Sequence, residues 1–246
     1  MKSISIAAPV FNEELNISNC IEAWMSVINE LSINEYEIVL CDDKSTDDSI
    51  NVIEKHISKN PNIKLVKHAI NQGAAQAVIS AGNNATKERI LFVDSDGQFP
   101  RESILEVIKA SNLNPEVCVF GARETKEDSL LTQTGTRLTT LIFNIIYGKK
   151  LSDISCILKI IPYNKYKNLN LESTGLNVST EMSCKILESD CEINEVKVQH
   201  RAREFGTSSA AGYRFIKHGI KRIGILKYFF YRKILILCGI ISPPKP

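Results

Sequence analysis

The stretch that decides the fold is RILFVDSDGQFP, residues 89–100, in which a run of apolar residues ends on two carboxylates. The continuous apolar run at 90–93 is typical of a strand buried on both faces. Asp94 and Asp96 follow two residues apart, so their side chains project to one side if the backbone stays extended through Ser95. The spacing alone fits either a cation site between two carboxylates or a solvent-exposed turn that ends the strand.

The rest of the N-terminal half repeats the same unit. Apolar runs of strand length each precede a segment in which apolar residues recur at three and four, which predicts helices. The runs are SISIAAPV (3–10), YEIVLCDD (36–43), IKLVKH (63–68) and RILFVDSD (89–96). Four strand-then-helix units in succession predict an α/β fold, a Rossmann-like and mainly parallel sheet with helices on both faces.

The region from 117 to about 200 is less regular. It contains a predicted strand in EVCVFGAR (116–123), a helical stretch around LTTLIFNIIYG (138–148) and a short strand in EINEVKVQH (192–200). We expect this region to extend the same sheet and to build the acceptor side of a binding crevice.

Charge divides the chain into two parts. Residues 1–200 carry 20 Lys and Arg against 27 Asp and Glu, whereas residues 201–246 carry 10 against one, a net charge of +9. A strongly basic segment on a mildly acidic body indicates an anionic partner. Nucleic acid, a phosphorylated substrate and a membrane surface are the three classes that qualify.

The cysteines and the N-terminus indicate a reducing compartment. The chain has seven cysteines, an odd number, and no CxxC pair. This usage favours reduced thiols in a cytosolic protein over a disulfide framework or a zinc site. The first apolar run meets Glu13 and Glu14 too early for a signal sequence, and we interpret it as the first strand.

Acidic residues follow three of the four predicted strands. Glu13 comes after the first, Asp42 and Asp43 after the second, and Asp94 and Asp96 after the fourth. Ligands of open α/β sheets bind at the carboxyl ends of the strands. Mg²⁺ or Mn²⁺ would satisfy a close carboxylate pair and would complete its shell with water and substrate phosphates.

Seven motifs, taken in order, resemble those of family-2 inverting glycosyltransferases of the GT-A fold. The closest likeness within that family is to polyprenyl-phosphate and dolichyl-phosphate sugar synthases, which transfer mannose or glucose. The motifs are APVFNEELNI (8–17), VLCDDKSTDDS (39–49), NQGAAQAVISAGNNA (71–85), ILFVDSDGQFP (90–100), VFGAR (119–123), TGLNVSTEM (174–182) and EVKVQHRAREFGTSS (195–209). Each motif is weak alone, whereas the ordered set is specific.

The resemblance implies roles for the residues on the donor side. It assigns nucleotide-sugar binding to Pro9, Phe11, Glu13, Asp42, Asp43 and Asp94, and a divalent metal to Asp94, Asp96 and Gln98. A carboxylate suits the nucleotide because it accepts from base N–H groups and ribose hydroxyls. Two positions depart from the family pattern, which usually has Gly at Lys44 and Leu or a similar residue at Gly97, and Lys44 leaves the donor base open.

On the acceptor side the resemblance implies arginines that face an acceptor phosphate, namely Arg123, Arg137, Arg201 and Arg203. Arginine offers a planar fork of donors to phosphate oxygens. Catalytic roles fall on Asp96, on Asp153 and on Glu181, the candidate general base if the acceptor is an alcohol. Glu181 also fits a plain acid in the first turn of a helix, and Asp153 a turn acid.

The C-terminal part, 210–246, is predicted to be a basic amphipathic membrane-associating tail beside a catalytic domain at 1–209. A helical wheel of 214–226 places the cations on one arc and the isoleucines on the other, the cationic arc being Arg214, Lys217, His218, Lys221 and Arg222. Such a helix suits an anionic membrane surface, and the later apolar run is too short to span one. An oligomer-forming helix and a helix packed on the body are the alternatives.

The sequence therefore predicts a metal-dependent hexosyltransferase that moves a sugar from a UDP- or GDP-sugar to a polyprenyl phosphate, as a peripheral protein on the cytoplasmic face of the membrane. The alternative acceptor is a saccharide hydroxyl in surface polysaccharide synthesis. A nucleotidyltransferase and a nucleotide-sugar binding module are the alternatives of a different class. Nucleic acid is not expected as a partner, and a homo-oligomer is left open.

Overall fold

The computed structural model describes residues 3–124, 130–149, 151–173, 178–203 and 214–245, without the side chains of 130–133, 136, 214–223 and 225. The strands in these ranges are β1 (Ile4–Val10), β2 (Tyr36–Asp42), β3 (Ile63–Lys67), β4 (Arg89–Phe92), β5 (Cys118–Arg123), β6 (Lys159–Pro162) and β7 (Ile193–Val198). The helices are α1 (Ile17–Glu30), α2 (Ser49–Ile57), α3 (Ala74–Asn83), α4 (Arg101–Leu113), α5 (Leu130–Tyr147), α6 (Tyr163–Asn168), α7 (Val178–Glu188) and α8 (Arg214–Leu237).

The strands form one sheet in the order β3-β2-β1-β4-β6-β5-β7. β1 pairs in parallel with β2 on one side and with β4 on the other, and β5 pairs in parallel with β7. β6 runs antiparallel to both of its neighbours. The predicted α/β fold with a mainly parallel sheet is confirmed.

The apolar runs form strands because the sheet buries them on both faces. Every residue of β4 is buried, as are six of the seven residues of β1. In α1 the residues that recur at three and four, among them Ile17, Ile21 and Trp24, are buried against the sheet. α1 packs against α2 and α4, whereas α3 packs against β1, β2 and α7, which gives two separate layers of helices.

The sequence did not predict β6. Its four residues are all buried and lie between β4 and β5, so the sheet is interrupted by one antiparallel strand. The first residue, Lys159, is fully buried although it is a cation. A four-residue run that begins with lysine carries almost no pattern, and its pairing comes from the two strands that flank it.

α8 packs on the body of the protein through Phe229, which is buried and meets the ring of Phe143 on α5 with the ring centroids 6.0 Å apart. An ion pair of 2.7 Å between Arg232 Nε and Glu188 Oε2 holds the same helix to α7. The predicted cationic arc at 214–222 lies outside the described side chains. The boundary predicted near residue 209 falls in the undescribed range 204–213 and stays a prediction.

Exposed apolar side chains line both of these packed helices. They include Leu138, Leu141 and Ile145 on α5, and Tyr228, Phe230, Tyr231, Ile234 and Leu237 on α8. Neither helix is a membrane span, because within the described residues none combines the length and the apolar character that crossing would require.

Candidate active site

The site lies where β1 and β4 end side by side. The chain leaves β1 towards β2 on one side, whereas β4 lies on the other side and is reached from β3. This reversal opens a crevice at the carboxyl ends of the two strands. The Oγ of Ser95 donates to the carbonyl of Pro9 at 2.6 Å, which ties the loop after β4 to the end of β1.

An acidic cluster occupies this crevice. Asp96 and Glu13 are buried, and Asp94 is partly buried beside them. The guanidinium of Arg203 lies between two of these carboxylates, with Nη2 at 2.7 Å from Asp96 Oδ2 and Nη1 at 3.3 Å from Glu13 Oε1. The sequence placed Arg203 towards the acceptor phosphate, and the structure also gives it contacts with predicted metal and nucleotide residues.

The electrostatics of the cluster follow from burial and like charge. Burial, with the nearby charge of Asp96, raises the pKa of Asp94 to about 7, against the lowering effects of Arg203 and Arg123. Burial also raises the pKa of Glu13 above its usual range, although a hydrogen bond from Asn16 partly offsets it. Carboxylates held together in this way favour a bound cation.

The loop after β7 reaches this cluster because it pairs with the loop after β4. The backbone N–H of Arg201 donates to the carbonyl of Gln98 at 2.8 Å, and Gln98 Nε2 donates to the carbonyl of Arg201 at 3.0 Å. The N–H of Gln98 donates to Asp96 Oδ1 at 3.1 Å. These bonds position Arg203, two residues further on, over the acids. The amide of Gln98 thus binds the backbone, and its predicted role as a metal ligand stays a prediction.

The donor set suits Mg²⁺ or Mn²⁺. Asp94 and Asp96 supply hard carboxylate oxygens, and Arg203 already holds a positive charge 2.7 Å from Asp96 Oδ2. The described residues contain no group of three or more His, Cys, Asp and Glu side chains that could hold a metal ion by themselves. Sites that use substrate phosphates as ligands need only one or two protein carboxylates, so the pair fits such a metal.

The two carboxylates after β2 have different surroundings. Asp43 accepts from the N–H groups of Gln72 at 2.8 Å and Gly73 at 2.7 Å, and its Oδ1 lies 2.8 Å from Nδ1 of His68. Asp42 accepts from the N–H of Ser45 through Oδ2, while its buried Oδ1 has no hydrogen-bond partner among the described residues. Asp43 therefore holds the turn before α3. The Oδ1 of Asp42 can still accept a hydrogen bond from a ligand.

The loops after β1 and β2 brace each other. The N–H of Asn12 donates to Ser45 Oγ at 3.0 Å, and the N–H of Thr46 donates to Asn12 Oδ1 at 2.8 Å. One turn further on, the N–H of Asp48 donates to Glu14 Oε2 at 2.8 Å. The bracing leaves Phe11 with 47% of its surface exposed at the rim of the crevice.

Arg123 lies at the end of β5 and reaches the same region. Its Nε donates to Asp153 Oδ2 at 2.6 Å, and its Nη2 donates to Ser155 Oγ at 3.1 Å. Asp153 is fully buried in this pair, so it positions the arginine. Of the other predicted arginines, Arg137 is exposed on α5, and Arg201 is exposed with its nearest acid, Glu102, at 3.9 Å.

The carboxylate of Glu181 is fully engaged within the protein. Its Oε1 accepts from the N–H of Glu172 and its Oε2 from the N–H of Ser173, both at 2.8 Å. Lys185, one turn further along α7 and equally buried, forms an ion pair with it at 2.8 Å. These contacts fix the segment before α7, and the role of Glu181 as general base stays a prediction.

Two residues that shape the site were missed from the sequence. His68 directly follows β3, so it stands at a strand end as the predicted acids do. Lys185 stands four residues after Glu181 and carries the opposite charge, a spacing that places both side chains on one helix face. Each had a local signal that the search for acids alone passed over.

The comparisons with known proteins bear on this arrangement. Residues 5–170 match the family model described as Glycosyl transferase family 2. The chain belongs to glycosyl transferase family 2. The family predicted from the seven motifs is thus confirmed, and with it the prediction of a glycosyltransferase.

This family-2 chain is similar to an undecaprenyl-phosphate 4-deoxy-4-formamido-L-arabinose transferase from Photorhabdus laumondii. The two are 25% identical over 221 residues, which cover 88% of this chain and 65% of the relative. The chain therefore spans less than two thirds of the length of that transferase.

Solved structures of other glycosyltransferases share its fold. The glucosyl-3-phosphoglycerate synthase of Mycobacterium tuberculosis, in complex with uridine diphosphate, matches 93% of this chain and 80% of its own with a TM-score of 0.68 at 15% identity. The mannosyl-3-phosphoglycerate synthase of Rubrobacter xylanophilus matches 98% of this chain and 76% of its own with a TM-score of 0.67 at 14% identity. The mycobacterial enzyme has also been solved with Mn²⁺ and uridine diphosphate. At these identities the likeness shows the fold, and the predicted GT-A type of this family-2 protein is confirmed.

Proposed function

We propose that this protein transfers a hexose from a nucleotide diphosphate sugar to a polyprenyl phosphate, with inversion at the anomeric carbon and with a divalent cation. The observation that carries the proposal is the placement of two arginines beside the acidic pair. Arg203 touches Asp96 directly, and Arg123 is close enough to lower the pKa of Asp94. The crevice thus combines carboxylates for a metal-bound diphosphate with guanidinium groups for a second anionic phosphate.

On the donor side, Asp42 is the residue we assign to the nucleotide. Its buried Oδ1 accepts from a base N–H or a ribose hydroxyl, each of which is a donor. The exposed ring of Phe11 offers a face on which the base stacks. Asp43 positions the turn behind them. The donor is a UDP- or GDP-sugar, and Lys44, exposed next to this acid pair, is the residue we expect to bear on the base.

Asp94 and Asp96 would hold the cation, with Gln98 as the further ligand that the family pattern implies. When bound, Mg²⁺ or Mn²⁺ neutralises the diphosphate that departs from the sugar. Burial and the nearby charge of Asp96 raise the pKa of Asp94, which disfavours its ionised form in the free protein. A cation together with the donor relieves that repulsion.

On the acceptor side the engaged state of Glu181 favours a phosphate over a hydroxyl. A lipid phosphate is ionised at neutral pH and attacks without a general base, whereas an alcohol needs one. Arg123, held by Asp153, and Arg203 supply donors to such a phosphate, and Arg137 and Arg201 lie further out as exposed cations. Glu181 then acts by holding the segment at 172–173.

A lipid acceptor requires contact with a membrane, and we assign that contact to α5 and α8. Their exposed apolar side chains, among them Leu141 and Tyr231, accompany the cations of the C-terminal segment. Apolar groups next to cations suit the surface of an anionic bilayer. The protein would then act as a peripheral enzyme on the cytoplasmic face.

The test incubates the purified protein and Mn²⁺ or Mg²⁺ with radiolabelled nucleotide sugars and a polyprenyl phosphate, and counts label in the organic phase. We expect metal-dependent label that Asp96→Asn abolishes. The matched control is Asp190→Asn, because Asp190 is an exposed acid whose ion pair with Lys149 lies on the surface. Label that persists in Asp96→Asn, or transfer only to a saccharide hydroxyl, would overturn the proposal.

A second arm tests the membrane contact by co-sedimentation with vesicles of neutral and anionic phospholipid. Leu141→Ser with Tyr231→Ser is expected to reduce binding to anionic vesicles. The control is Leu113→Ser on α4, which removes an even more exposed leucine from another part of the protein. Equal binding of both variants would refute the assignment of α5 and α8.

A further inference from the structure

Two cysteines lie near each other at the amino ends of β5 and β7. The acidic cluster lies at the other end of the strands, beyond their carboxyl ends. Cys118 begins β5 and lies in register with Ile193, the first residue of β7. The N–H of Cys118 donates to the carbonyl of Glu192 at 3.1 Å, so the pairing extends beyond the strand. Cys191 stands two residues before Ile193, just ahead of the start of β7. The thiols of Cys118 and Cys191 are close enough for each to shift the pKa of the other.

The surroundings of the two thiols are unequal. Ser189 donates its hydroxyl to the Sγ of Cys191 at 2.9 Å, and the ammonium group of Lys165 lies near the same sulfur. Cys191, just before the edge strand β7, keeps 8% of its surface exposed, whereas Cys118 is fully buried. Cys191 is therefore the less buried of the two thiols, and it is the one with Ser189 and Lys165 beside its sulfur.

These contacts stabilise the thiolate form of Cys191. The neighbouring thiol of Cys118, with further contributions from Ser189 and Lys165, outweighs burial and lowers the pKa of Cys191 to about 5. The buried thiols of Cys20 and Cys41 have the opposite shift, because burial raises the pKa of each to about 12. Since the thiolate is the nucleophilic form, Cys191 is distinguished from these two thiols by reactivity.

We propose that Cys191 and Cys118 form a peroxide-sensitive dithiol that closes reversibly to an intramolecular disulfide. The Cys191 thiolate attacks hydrogen peroxide, the O–O bond breaks, and a sulfenic acid and hydroxide form. The thiol of Cys118 then attacks the sulfenic sulfur, the S–O bond breaks, and the departing hydroxyl leaves with the thiol proton as water. Peroxide is reduced, the two thiols are oxidised, and a thiol reductant reverses the change.

The position of the pair determines what the disulfide would change. β7 is the edge strand of the sheet, and the bond would join it to β5 and link residues 118 and 191, between which β6 and α7 lie. A cross-link that closes a long loop stabilises the folded chain. Because the donor residues lie at the carboxyl ends of the strands, oxidation leaves nucleotide binding unchanged.

The experiment treats the full-length protein with hydrogen peroxide and follows free thiols by alkylation, intact mass and peptide mapping. We expect the loss of two thiols, a Cys118–Cys191 peptide, a higher melting temperature and reversal by dithiothreitol. In Cys118→Ser the disulfide is absent and a sulfenic acid accumulates at Cys191, where dimedone traps it. Cys191→Ser slows peroxide-dependent thiol loss about tenfold, since the reactive thiolate is gone.

Cys238→Ser is the matched control, because Cys238 is the exposed thiol among the described cysteines and lies outside the pair. This variant is expected to form the Cys118–Cys191 disulfide at the wild-type rate. Peroxide-treated wild-type protein without that peptide would overturn the proposal. So would oxidation of Cys238 that is faster than oxidation of Cys191. Both results are independent of sugar transfer.

Discussion

Replacing Arg203 by methionine is expected to tighten the binding of Mn²⁺ to the protein when no nucleotide is present. In the free protein the guanidinium of Arg203 forms an ion pair with Asp96 Oδ2 at 2.7 Å and lies 3.3 Å from Glu13 Oε1. A metal ion that uses Asp96 must displace this contact. Methionine keeps an unbranched apolar stem and removes the competing charge, so the metal meets a more negative crevice.

The size of the effect follows from the contact that is lost. A hydrogen bond between charged groups contributes roughly 1.5–3 kcal/mol, and about 1.4 kcal/mol corresponds to a tenfold change in affinity. The side chain of Arg203 is 26% exposed, so solvent weakens the contact and favours the lower end of that range. We expect the dissociation constant of Mn²⁺ to fall about tenfold.

Free Mn²⁺ is measured by electron paramagnetic resonance during a titration of the nucleotide-free protein. Arg201→Met is the matched control, because Arg201 is exposed on the same loop and its contact with Glu102 is 3.9 Å long. That control should bind Mn²⁺ as the wild type does. In the transfer assay Arg203→Met should raise KM for the lipid phosphate. Unchanged or weaker Mn²⁺ binding by Arg203→Met, with a native circular dichroism spectrum, would refute the competition.

The other predictions concern buried charge and backbone strain. Glu181→Gln should lower the free energy of unfolding by about 3 kcal/mol in a urea titration, because it leaves the ammonium group of Lys185 buried without its partner. Adding Lys185→Met should restore most of the loss. A kcat that falls while stability is unchanged would instead indicate that Glu181 is a general base. Burial lowers the pKa of Lys159 to about 8, so the folded state binds fewer protons than the unfolded state between pH 8 and 10.5. The free energy of unfolding should therefore rise with pH in that window, relative to Lys159→Met, by up to about 3 kcal/mol. Parallel pH profiles of the two proteins would contradict this. Gly97 has φ +75°, so Gly97→Ala should lower the melting temperature by an amount equivalent to about 1 kcal/mol. Lys44 has φ 68°, so Lys44→Gly should leave the melting temperature unchanged or raise it, and a clear decrease would show that its side chain contributes to the fold.

The donor half of the fold could be predicted because its signals are local. Continuous apolar runs specify buried parallel strands, and the chain places every strand end of that half at one edge of the sheet. Glu13 and Asp96 were found in this way, and the structure brings both within reach of Arg203. The spacing of residues along the chain therefore carries this part of the site.

The rest depends on contacts that distance along the chain conceals. β6 pairs only because β4 and β5 leave a place between them, and Lys159 gives no sign of burial in the sequence. The engagement of Glu181 with the backbone at 172–173 requires the three-dimensional path of the segment before α7. Positive φ at Lys44 explains why the family usually has glycine there, a preference that the motif records without its physical reason.

The mutual bracing of the loops after β1 and β2 has a thermodynamic consequence. The N–H of Asn12 donates to Ser45 and its side chain accepts from the N–H of Thr46, so these loops are ordered by the protein itself. A nucleotide that enters meets groups whose conformational entropy was lost during folding, and little ordering accompanies association. Donor binding should therefore show a small heat-capacity change, of the size that the contact area alone predicts. Substitution of Asn12 would then lower affinity mainly through an entropic penalty, visible by calorimetry as an unfavourable change in −TΔS.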